Sequence, residues 1–133
     1  RRQVRELGLQ DCVSFVGYLD REGVRTLYRE ADVMVLPSYH EGLPNVVLES
    51  MASGTPIVAT RIPGTIEAVE HGQVGLLVEP HQPEQISQAI MKLLGDDALR
   101  REMGIEARRR AQNEFDWRVV ADKVECIYEG LVH

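Results

Sequence analysis

The sequence has only two cysteines, Cys12 and Cys126, far apart and in no Cys-x-x-Cys or His–Cys spacing. They offer neither a disulfide framework nor a zinc site, so a reducing, cytoplasmic compartment is expected. No apolar stretch approaches the roughly 18–20 residues that cross a bilayer, and no signal peptide is visible. An excess of cations is also missing. Lys and Arg number 15 against 21 Asp and Glu, a formal net charge of -6, which argues against a nucleic-acid partner. His40 has Pro44 where a zinc protease needs a second histidine, and Ser38 and Ser50 lack the Gly-x-Ser-x-Gly setting of a hydrolase nucleophile. Internal repeats, low-complexity stretches and interdomain linkers are absent.

What remains is ordinary for a soluble globular protein: 133 residues, 44% hydrophobic and 27% charged, read as a single domain over 1–133. The chain opens on Arg1-Arg2-Gln3-Val4-Arg5-Glu6-Leu7, which reads as the end of a helix already under way. A fragment is therefore expected. Arg108, Arg109 and Arg110 read as a solvated helix face.

The first half alternates between two periodicities. Cys12 to Gly17 is a short β-rich run, and Arg21 to Ala31 places Val24, Leu27, Tyr28 and Ala31 at helical spacing. An apolar run over 32–36 follows. Asn45 to Ser53 reads as a helix with Asn45 as its N-cap and Gly54 as its stop. Pro56 to Thr60 is a further strand, Pro63-Gly64 a turn, Ile66 to Glu70 a short helix, and Val74 to Val78 a fourth strand. Strands alternating with helices predict βαβ units, and runs apolar on both sides of the pleat predict a sheet covered on both faces. The expected fold is a doubly wound, Rossmann-like α/β domain with a parallel sheet. Three additional helices, Pro83 to Leu94, Asp97 to Glu114 and Asp116 to Leu131, close the chain; Trp117 and Tyr128 are expected in core or interdomain packing.

Chemistry concentrates in the segment from Pro37 to Glu49. The loop after a buried strand lies at the carboxyl edge of the sheet, where open α/β sheets bind ligands. It leads into a helix whose first N–H groups form a seat for phosphate. Gly42 allows close approach of the backbone, and Pro44 costs no helical hydrogen bond. Glu41 and Glu49 flank this seat. Carboxylates there are repelled by phosphate unless they bind something else, and sugar hydroxyls fit, since each carboxylate can accept two hydroxyl hydrogen bonds. Hexose, diphosphate and ribose then each have a partner.

Glu41 and Glu49, with seven residues between them after a Pro-Ser strand end, resemble the E-x7-E motif of the retaining glycosyltransferases of GT-B fold, family 4. The likeness runs in order through Val13-Ser14-Phe15-Val16-Gly17-Tyr18, 31–38, 49–60 and 75–80. It implies the C-terminal, donor-binding half of that fold, with a nucleotide-diphosphate sugar as donor. Glu41 would bind the donor hexose near the reacting face, the backbone of Gly42, Leu43, Asn45 and Val46 the diphosphate and sugar, and Glu49 the ribose. The Val16-Gly17-Tyr18 turn would lie against the base. No metal and no cofactor are implied, in keeping with the lack of an Asp-x-Asp motif. Two departures stand out. The family's basic pair on the opening strand and loop has no counterpart here, and Pro63 replaces a first glycine common in the family.

The N-terminal acceptor-binding domain is absent on this reading, so the fragment alone is expected to be inactive. The implied setting is polysaccharide or glycolipid assembly, with a membrane-associated acceptor at the inner face. A nucleotide-sugar epimerase of related fold would need acid–base residues that the sequence does not offer. A non-catalytic scaffold would not need the Glu41/Glu49 pair.

Overall fold

The computed structural model describes residues 1–131. Its elements run α1 (Arg2–Glu6), α2 (Arg21–Glu30), β1 (Met34–Leu36), α3 (Asn45–Ser53), β2 (Ile57–Thr60), α4 (Pro63–Ala68), β3 (Gly75–Val78), α5 (Pro83–Leu94), α6 (Asp97–Glu114) and α7 (Trp117–Leu131). The three strands pair in parallel in the order β1-β2-β3, with Met34 opposite Ile57 and Ile57 opposite Gly75. Strands added one after another on the same side place their crossover helices on the same face when each crossover has the usual right hand.

The packing follows that rule. On one face Ile57, Ala59 and Leu77 meet Val47 and Met51 of α3, Ala68 of α4, and Ala107 and Ala111 of α6. On the other, Val58, Leu76 and Val78 meet Ala89 and Leu93 of α5 and Met103 of α6. The alternation along β2 is the period of two that a pleated strand imposes. The sheet is covered on both faces, as expected from its apolar runs. α3 is held most extensively by α6. Their close approach depends on glycine: a β-carbon on Gly104 would stand 2.2 Å from the carbonyl oxygen of Gly54, which ends α3 at a φ of 78°.

Several expectations are corrected. Cys12 to Gly17 forms no strand. Among the described residues β1 pairs only with β2, so the segment has no ladder to join, and Phe15 and Val16 stand exposed. β1, which pairs on one edge only, is only partly buried, with Val35 38% exposed. Pro44, extended at φ -77° and ψ 119°, is the N-cap of α3, which makes Asn45 its first helical residue. α4 begins at Pro63 and ends at Ala68, earlier than expected, because proline's fixed φ suits the first helical position. Trp117 is 84% exposed, which overturns only the core half of its expectation. The side chains of Tyr128 and Leu131 lie outside the described residues. Arg110 is no solvated residue: its guanidinium bonds Glu70 at 3.0 Å and the Glu67 carbonyl at 3.2 Å, tying α6 to α4.

Candidate functional site

Parallel strands end together, so the loops after β1, β2 and β3 share one edge of the sheet. The loop after β1 carries Ser38, Tyr39, His40, Glu41 and Gly42, and all but Ser38 are exposed. Its shape is fixed from several sides. The Ser38 hydroxyl donates to Glu41 Oε1 at 2.9 Å. Buried at the end of β2, Thr60 donates its hydroxyl toward the carbonyls of Ser38 and, at 3.5 Å, Leu36. The first turn of α4 presses on the same loop, because a β-carbon on Gly64 would sit 1.5 Å from the Gly42 carbonyl oxygen. Thr65 in turn secures α4 by accepting from the Ile62 N–H at 3.2 Å and donating to the carbonyl of Thr60 at 2.5 Å.

The loop after β3 reaches back. Glu79 pairs with Arg61, the residue after β2, at 3.1 Å. Two residues on, the His81 ring stacks on Tyr39 with centroids 4.3 Å apart and planes 16° off parallel. His81 has a φ of 62°, the only positive φ of a non-glycine residue among the described residues. Such a conformation costs on the order of 1 kcal/mol or more.

α3 begins at this edge. Val47, Ser50 and Met51 are its buried stripe, which turns Glu49 outward. The N–H groups of Val47 and Leu48 both point to the Pro44 carbonyl, at 3.0 and 3.4 Å. Those of Asn45 and Val46, both exposed, have no acceptor among the described residues. Two free donors and the positive end of the helix dipole therefore face solvent beside Gly42 and Leu43.

Glu49 opens onto a groove of about 610 Å³ between α2, α3 and α6, lined also by Tyr18, Asp20, Val24, Tyr28 and Arg108. Burial pushes the Tyr28 phenol above its ordinary value of 10.0, and the negative charge of Glu49 adds to the shift. Tyr18 and Glu49 thus share one concavity, and Gly17 makes the turn beside them at a φ of 67°. Glu41 lies outside that groove, on the loop side of α3. The site has two parts, the loop with Glu41 and the groove with Glu49, joined by the start of α3. Thr60, Gly64 and His81 were not singled out from sequence. His81 in particular gives no local signal, since only the fold brings it to Tyr39.

The sequence pattern of the family described as glycosyl transferases group 1 matches residues 1–110, and the chain belongs to that family. Its architecture is that of the C-terminal half of a GT-B fold. The chain is 42% identical over 95% of its length to a D-inositol 3-phosphate glycosyltransferase of Corynebacterium jeikeium, of which it spans 30%. It superposes with a TM-score of 0.90 on a sucrose-phosphate synthase from Thermosynechococcus elongatus, at 37% identity, covering 98% of this chain and 33% of that one. A further neighbour is Anabaena HepE in complex with UDP, with a TM-score of 0.89 and 26% identity over 97% of this chain and 35% of that one. The chain accordingly spans about a third of the length of each.

Proposed function

We propose that this chain is the donor-binding half of a retaining glycosyltransferase that transfers a hexose from a nucleotide-diphosphate sugar to an acceptor. One observation carries the reading: Glu41, the free N–H groups of Asn45 and Val46, and Glu49 stand in succession along a single loop and helix start. That succession matches hexose, diphosphate and ribose. HepE in complex with UDP, a fold neighbour, supports a nucleotide donor.

Breaking the anomeric C–O bond builds negative charge on the departing diphosphate and positive charge on the sugar ring. The two free amides and the dipole of α3 stabilise the first, each well-aimed donor contributing a few kcal/mol. Glu41 orients the hexose through its hydroxyls and stabilises the second. The acceptor attacks from the same face. Glu49 holds the ribose, and the Val16-Gly17-Tyr18 turn lies against the base at the mouth of the groove. No metal or cofactor takes part.

The other wall of the cleft and the acceptor site belong to a further domain of a longer protein, so this chain alone is inert as a transferase. The longer protein works in polysaccharide or glycolipid assembly, in the cytoplasm and against the inner face of the membrane. No helix among the described residues is long and apolar enough to cross a membrane.

An NMR titration with UDP, GDP and ADP, and with their glucose or mannose forms, tests the reading. Shifts confined to 16–18 and 41–49, lost in Glu49→Ala, are expected and identify the base. No shift with any nucleotide at several millimolar, on this chain and on the longer protein, overturns it.

A further inference from the structure

We propose that His81 is a positioning residue: its ring, stacked on Tyr39, holds the 38–42 loop in the conformation that presents Glu41 to the donor hexose. This rests on the reading of Glu41 as the hexose-binding carboxylate.

Three observations carry it. His81 keeps a left-handed backbone, φ 62°, at an exposed position of the loop after β3, where glycine would sit without strain. Backbone strain persists only where the surroundings over-determine it. The described contact that does so is the stack on Tyr39, at 4.3 Å and 16°. Finally, Tyr39 lies between Ser38, whose hydroxyl donates to Glu41, and the Glu41–Gly42 segment that Gly64 presses on.

Thr60 and Gly64 fix the backbone of this loop from below and from the α4 side. Neither reaches its exposed outer part at Tyr39 and His40, where Tyr39 is 55% accessible. The imidazole, carried on the neighbouring loop, is the one described ring that packs there. The Arg61–Glu79 pair at 3.1 Å ties the start of the loop that carries His81 to the residue after β2. The histidine ring therefore restrains the Glu41 loop while its own backbone is strained.

The test measures UDP-glucose and UDP affinities for the chain and its variants by NMR titration, alongside melting temperature. His81→Gly relieves the backbone, so its melting temperature is expected to hold or rise. Its UDP-glucose affinity is expected to fall about threefold to tenfold, in the lower part of the range of side-chain coupling between neighbours. UDP, which makes no use of the hexose carboxylate, should bind nearly as before.

Tyr39→Ala should show the same selective loss, the double variant should be no worse than either single one, and Tyr39→Phe, which keeps the ring, should bind like the parent. Glu41→Gln and Glu49→Ala separate the two ideas. If those controls weaken binding but His81→Gly and Tyr39→Ala do not, the stack has no positioning role. If the controls have no effect, or UDP-glucose binds neither this chain nor the longer protein, the site reading falls and this proposal with it. Equal losses of UDP and UDP-glucose with a lowered melting temperature also overturn it, since that pattern marks general loosening.

Discussion

The α-carbon of Gly64 faces the carbonyl of Gly42 so closely that a β-carbon would lie 1.5 Å from its oxygen and 2.6 Å from that of Glu41. The two glycines come from the loop after β1 and from the first turn of α4, and their contact helps set where Glu41 stands. Neither oxygen belongs to a side chain that could swing aside, so relief requires the loop itself to move.

Gly64→Ala is therefore expected to displace the Glu41 loop. Overpacking of this kind costs roughly 1–3 kcal/mol, and a displaced binding loop is expected to weaken donor binding as well. Urea unfolding and a UDP-sugar titration measure the two effects. Unchanged values for both would show that the contact is slack.

Thr60→Val keeps the shape at the end of β2 and removes the hydroxyl aimed at the Ser38 and Leu36 carbonyls. Leaving such acceptors without their donor is expected to cost about 1–3 kcal/mol in equilibrium unfolding. A wild-type midpoint would mean that solvent already satisfies those carbonyls.

Gly104→Ala tests the seam between α3 and α6. A β-carbon there would approach the Gly54 carbonyl oxygen to 2.2 Å. Alanine's better helix propensity offsets under about 1 kcal/mol, so a net loss of stability is expected in thermal or urea unfolding. A more stable variant would count against the seam.

The Tyr28 phenol is raised above 10.0 by burial and then by Glu49. A group bound more tightly to its proton in the folded state contributes stability that is complete below its unfolded pKa. That contribution is lost as pH rises from about 10 through the folded value. Alkaline absorbance titration, with Tyr28→Phe to isolate the signal, should show the late midpoint. Glu49→Gln should lower it without returning it fully to the ordinary value, because burial is the larger cause.

Much of this protein follows from sequence alone. Apolar runs bounded by Pro and Gly are local properties, and they place β2, β3, α5 and α6 nearly to the residue. The order of strands and helices fixes a parallel sheet covered on both faces, and Glu41 and Glu49, set across a strand end and helix start within an ordered run of matching segments, mark the candidate site. Other features were open until the chain folded. Cys12 to Gly17 has the composition of a strand, but a strand exists only where a neighbour supplies hydrogen bonds, and β1 pairs elsewhere. Pro63-Gly64 reads as a turn, and it becomes the first turn of α4 where Thr65 bonds back to Ile62 and Thr60. Nothing near His81 in the chain announces Tyr39, and nothing near Gly64 announces Gly42. Those contacts join residues more than twenty positions apart, so only the parallel sheet, by ending its strands at one edge, decided them.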